Sequence, residues 1–196
     1  MQVLLLLLCL TFLLPFPQAT ANSQIHAQEF ELKAIYCYNL LHFVHWPTQQ
    51  KKPEPRQLNI IILGSSPEFT ASLDALRQQV RTGANDEITI TQIVTYTNNI
   101  DLNKFHLVYI TSSETKNLPA ILAKIQNSPV LTVGDTEGFI EAGGMINLLV
   151  AEGPKIRWEI NQGALDRAGL KLSAKILQTA VRVVGSPAYL KSKAER

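Results

Sequence analysis

Residues 143–161 read Gly-Gly-Met-Ile-Asn-Leu-Leu-Val-Ala-Glu-Gly-Pro-Lys-Ile-Arg-Trp-Glu-Ile-Asn. Two strand-like runs flank the turn signal Ala151-Glu152-Gly153-Pro154. In the second run Ile156, Trp158 and Ile160 point one way, and Lys155, Arg157, Glu159 and Asn161 point the other. That period of two describes a half-buried antiparallel hairpin with one wet face. The wet face mixes both charge signs with amide groups and carries no nucleophile–base pair. Such a face suits contact with a partner better than chemistry.

Upstream of the hairpin the apolar runs are nearly continuous. Leu58–Leu63 has the composition of a parallel strand covered on both faces. Gly64-Ser65-Ser66-Pro67 then turns into a helix reaching about Arg81, with Ser66 at the N-cap and Pro67 in the first turn. Ile88–Val94 and His106–Ile110 read as further strands, Asn117–Gln126 as a short helix and Val130–Val133 as a fourth strand. Before them, Phe30, Ala34, Cys37, Leu41 and Val44 recur at helical spacing over Glu29–Val44, and Trp46-Pro47 ends that helix. Downstream, Asn161 caps a helix over Gln162–Ala168, ended by Gly169. Ser173 opens a second helix over Ala174–Val184, striped by Ile176, Leu177, Ala180, Val181 and Val184. The expected fold is α/β: one three-layer domain, a mostly parallel sheet, a C-terminal antiparallel hairpin at its edge and two closing helices.

The chain has 196 residues, enough for one domain with a sizeable core. An apolar fraction of 46% with 17% charged residues describes a folded protein, and a formal charge of +2 without a basic stripe argues against nucleic-acid binding. Residues 1–21 read as a signal peptide. Val3–Leu14 is apolar, Pro15 and Pro17 end any helix, and Ala19-Thr20-Ala21 offers small residues for cleavage after Ala21. The absence of Lys or Arg before the run leaves an uncleaved anchor open, although the run falls short of the ~20 apolar residues a spanning helix needs. The domain then covers residues 22–185, and residues 186–196 form a polar tail. Cleavage would remove Cys9 and leave Cys37 as the one thiol, so no disulfide forms within the mature chain. Its apolar helical setting makes Cys37 a buried, inert thiol.

Candidate sites are sparse. Ser65, Ser66, Ser112, Ser113 and Asp135 lie at strand C-terminal ends, where an open α/β sheet binds small ligands. Ordinary turn chemistry explains the same residues. His42 and His45 are spaced i, i+3 but lack the company of a metal motif, so no metal is expected. Asp135 and Glu137 read as solvated loop carboxylates. No G-x-S-x-G elbow and no catalytic constellation occurs, and no cofactor is expected.

The blocks in order resemble the YfiR family of small periplasmic proteins. The match runs through Glu31–Tyr36 and Phe43–Pro47, Leu58–Gly64, Pro129–Asp135, Gly138-Phe139, Gly143–Leu148, Ile156–Asn161 and Ala168–Ser173, covering about 29–185. The resemblance implies a non-enzymatic, periplasmic regulator that binds the periplasmic region of an inner-membrane diguanylate cyclase and represses it, controlling cyclic di-GMP and biofilm formation. It also implies redox-responsive disulfides in some members, from which this chain departs. Phe139, Met145, Arg157, Trp158 and Glu159 are the expected partner-surface residues, since interfaces favour aromatic and Arg anchors. Packing with Ile156 and Ile160 is the competing role for Trp158. A periplasmic small-ligand sensor using the strand-end serines is the alternative, and a homodimer stays open.

Overall fold

An apolar run such as Leu58–Leu63 needs cover on both faces, and the chain provides it. The computed structural model describes residues 19–47, 57–80, 87–93, 95–151 and 155–185. Its elements run α1 (Ala19–Phe43), β1 (Val44–His45), β2 (Gln57–Leu63), α2 (Pro67–Val80), β3 (Glu87–Ile93), β4 (Leu107–Ile110), α3 (Leu118–Ile125), β5 (Leu131–Gly134), β6 (Ile146–Ala151), β7 (Lys155–Asn161), α4 (Gln162–Arg167), β8 (Lys171–Leu172), α5 (Ala174–Thr179) and β9 (Arg182–Val184). The main sheet has seven strands in the order β3-β2-β4-β5-β6-β7-β9. β3 to β6 pair in parallel across the sheet, β7 is antiparallel to β6, and β9 is parallel to β7. This is the expected α/β class with a mostly parallel sheet.

Alternation along the strands sorts the core into two layers. Ile60, Ile62, Leu107, Tyr109, Leu131, Val133, Ile146 and Leu148 pack with Ala34, Cys37 and Leu41 of α1, Phe69 and Leu73 of α2, and Leu165 of α4. Ile61, Leu63, Val108 and Ile110 face the other way, onto Leu118, Ile121, Leu122 and Ile125 of α3 and onto Phe139 and Ile140. Burial of this apolar area, at roughly 25 cal/mol per Å², is what holds the layers together.

Three details depart from the sequence reading. Helix α1 starts at Ala19 rather than Glu29 and runs across the position after Ala21. It ends at Phe43, because β-branched Val44 pairs with Leu172 in a two-stranded ribbon and Ser173 N–H donates to the Phe43 carbonyl. The last helix stops at Thr179, not Val184. Ala180 is extended, Val181 N–H donates to the Trp158 carbonyl, and residues 182–184 add strand β9 beside β7. The hairpin is therefore not the edge of the sheet; β9 is. Residues 1–18 and 186–196, and the turn at Glu152–Pro154, lie outside the described residues.

Candidate functional site

The β6–β7 hairpin keeps its expected alternation. Ile156 and Ile160 are buried, and Trp158 is half-buried on the same face. The Trp158 ring meets Tyr36 of α1 edge-on at 4.9 Å, and its Nε1 donates to the Ile176 carbonyl at 3.3 Å. Packing, the competing role, is thus where the structure places this residue. On the opposite face the register sets Asn147 beside Glu159 and Leu149 beside Arg157. Arg157 is exposed. Glu159 accepts from Arg182 Nε at 2.6 Å and from Asn147 Nδ2 at 3.3 Å, while Arg182 Nη2 lies 2.5 Å from Glu141. Hydrogen bonds to Glu159 and Glu141 push the Arg182 pKa up. Slight burial would raise the Glu141 pKa, but the Arg182 bond and charge outweigh it and hold the carboxyl low.

Phe139 and Met145 do not belong to this surface. Phe139 has 0% exposure, and its ring is wedged between two glycines. A Cβ on Gly134 would come within 2.5 Å of ring carbons, and one on Gly144 within 2.1 Å. Both positions require glycine for that close approach. Met145 is 2% exposed, and its N–H donates to Thr132 Oγ1 at 2.9 Å. Both residues were expected to meet a partner; burial gives them the core instead.

At the strand C-terminal ends the polar groups mostly satisfy one another. Ser65 N–H donates to Ser113 Oγ at 3.0 Å, and Thr111 Oγ1 lies 2.8 Å from Ser113 Oγ. Buried Glu114 accepts from Tyr96 N–H and from Asn117 Nδ2. The half-buried Ser66 lends its carbonyl to Thr70 N–H, the first bond of α2, and Ser112 is exposed. The structure thus joins Ser65 to Ser113. Asp135, read from the sequence as a solvated loop carboxylate, instead pairs with Lys33 of α1.

The Asp135–Lys33 pair has no counterpart in the sequence reading. Lys33 Nζ lies 2.8 Å from Asp135 Oδ2 and 2.6 Å from Glu29 Oε1, and the lysine is 4% exposed. Burial pulls its pKa down, yet Asp135 and Glu29 outweigh burial and raise it. Asp135 Oδ1 and the Tyr109 hydroxyl are both buried, and the phenol interacts with the Asp135 carboxylate. Burial first, then the Asp135 charge, pushes the Tyr109 phenol pKa well up. Cys37, one helical turn beyond Lys33, is buried and free. Burial and then Asp135 push its thiol pKa up, against a smaller opposing pull from Lys33.

These shifts carry a sign. Cys37 ordinarily ionises near 9.0 and Tyr109 near 10.0, but both stay protonated in the fold. Above those values the unfolded chain binds fewer protons, so stability falls by about 1.4 kcal/mol per pH unit per group. The contribution of these two groups is therefore full below pH 9 and declines above it, the thiol first. Raised Lys33 adds to the loss above 10.5. Denaturant titrations of wild type and Cys37→Ala should diverge in slope between pH 9 and 10. Parallel curves there would show that the thiol is hydrated.

The sequence profile of the YfiR/HmsC-like family (DUF4154) matches residues 30–181. The chain belongs to the YfiR/HmsC-like family. No match is found among curated proteins. Among solved structures, the chain is similar to a conserved domain protein from Vibrio cholerae O1 biovar El Tor, with 11% identity and a TM-score of 0.51. That alignment covers 79% of this chain and 60% of the other. It is also similar to an ABC domain in complex with L-Trp from Streptococcus pneumoniae, with 11% identity and a TM-score of 0.53, covering 80% and 60%. Likeness at this identity is of fold alone, and the chain spans 60% of each of those proteins. The YfiR-like family is one of periplasmic, regulatory, non-catalytic proteins in cyclic di-GMP signalling. No helix among the described residues is long and apolar enough to cross a membrane.

Proposed function

We propose that this YfiR-like chain is exported by residues 1–21 and binds the periplasmic region of an inner-membrane diguanylate cyclase, holding it inactive. The family match across 30–181 is the observation that carries the reading. Of the five partner-surface candidates, Arg157 is exposed, and Glu159 lies half-buried on the same face of the hairpin, held by Arg182 and Asn147. Release of the cyclase raises cyclic di-GMP and favours biofilm. Deleting the gene is expected to raise cellular cyclic di-GMP several-fold, with a plasmid copy restoring the low level. An unchanged nucleotide level in the deletion strain removes the repressor reading.

A small-ligand role at the strand ends, setting affinity for the cyclase, is the second reading, with Ser65, Ser112 and Ser113 exposed just beyond β2 and β4. A thermal-shift screen with amino acids and nucleotides tests it, and no stabilisation by any of them removes it.

A further inference from the structure

We propose that a groove on the outer face of the hairpin receives an Arg or Lys side chain from an extended basic segment of the protein partner. The proposal rests on the repressor reading above and names the chemistry of its contact. The groove holds about 420 Å³ and is lined by Glu137, Glu141, Asn147, Leu149, Glu159 and Arg182. That volume lies within the ~300–1,000 Å³ typical of ligand sites.

Charge is the first argument. Three carboxylates line the groove against one guanidinium. Arg182 engages Glu141 and Glu159, while exposed Glu137 makes no ion pair among the described residues. A local negative excess therefore sits on a chain whose formal charge is +2. Such a patch steers and orients a cationic partner.

Asn147 is the second, independent argument. It is 0% exposed and lines the groove; its Nδ2 donates to Glu159, yet its Oδ1 has no partner among the described residues. A buried acceptor without a donor costs about 1–3 kcal/mol and calls for an explanation. Arg182 turns Nε and Nη2 onto Glu159 and Glu141, so the free acceptors of the groove are the Glu137 carboxylate and the Asn147 carbonyl. Guanidinium and ammonium groups offer donors and no acceptor, so they match them. Leu149 supplies an apolar wall for the methylene stem of such a side chain.

Two arms test the proposal separately from the repressor reading. In the deletion strain, plasmid-borne Glu137→Arg is expected to leave cyclic di-GMP near the deletion level, with a thermal midpoint equal to wild type. Repression by Glu137→Arg equal to wild type overturns the groove. If the wild-type copy itself fails to repress, the repressor reading falls and the second arm decides the groove. There, the protein purified from the periplasm is titrated by NMR with acetyl-Gly-Arg-Gly amide and with its neutral citrulline analogue. Shifts confined to residues lining the groove, weakened at least about tenfold by citrulline or by Glu137→Arg, support the site. Equal binding of the citrulline peptide, or shifts elsewhere, overturns it.

Discussion

Replacing Phe139 by alanine is expected to destabilise the fold by about 4 kcal/mol. The ring is wholly buried, and it is the part that fills the space between the end of β5 and the start of β6. Gly134 and Gly144 approach it so closely that neither could carry a Cβ without moving it. Truncation leaves a cavity that these backbone segments cannot close, because the ladder from β5 to β6 fixes their separation. A chain of this size loses roughly 2–4 °C of melting temperature per kcal/mol. The melt followed by circular dichroism should therefore drop by about 8–16 °C. Gly144→Ala is the complementary change and should cost about 1–3 kcal/mol by overpacking the same ring. A Phe139→Ala protein within about 0.5 kcal/mol of wild type would behave as a surface variant and return Phe139 to the partner surface.

Phe139 shows where sequence reading stops. It sits in a Gly-rich stretch between two strands, and an aromatic there looks like an interface anchor. The five residues on each side that place Gly134 and Gly144 against its ring carry no periodic signal. Their proximity is created by β5 and β6 pairing in parallel, which is tertiary. By contrast, the strands that are apolar on both faces were legible, because burial on two sides demands it. The hairpin alternation and the Asn161 cap, whose Oδ1 accepts from Ala164 N–H, were legible for equally local reasons. The C-terminal segment shows a contest between signals. Ile176, Leu177, Ala180, Val181 and Val184 fit a helical stripe, yet Val181, Val183 and Val184 are β-branched and suit a strand. Pairing with β7, and two carboxylates waiting for Arg182, decide for the strand. One missed signal was present in the sequence. Lys33 lies between Leu32 and Ala34, one turn before Cys37, in a helix apolar on most sides. A lysine so placed requires a buried anion, and that anion is 102 residues away.

That pairing gives the second large effect. Asp135→Ala is expected to cost about 3 kcal/mol, near the low end for breaking a buried ion pair, because Glu29 still faces the ammonium. The ammonium cannot reach water without moving α1, since the lysine is 4% exposed. Burial, which opposes the charge on Lys33, would then act against Glu29 alone. The expected fall in melting temperature is about 6–12 °C. Part of the loss should appear locally, as separation of α1 from the strand ends. Cys37 reports it: the thiol should react with a disulfide reagent much faster in Asp135→Ala than in wild type, where it is wholly buried. The double variant Lys33→Met, Asp135→Leu removes both charges and should recover most of the stability, since apolar replacements of a buried pair are often neutral. A shift below about 1 kcal/mol in Asp135→Ala, with unchanged thiol reactivity, would make Asp135 the solvated loop residue that its sequence context suggests. A double variant no better than Asp135→Ala alone would instead assign the loss to the loop after β5 rather than to an unpaired lysine.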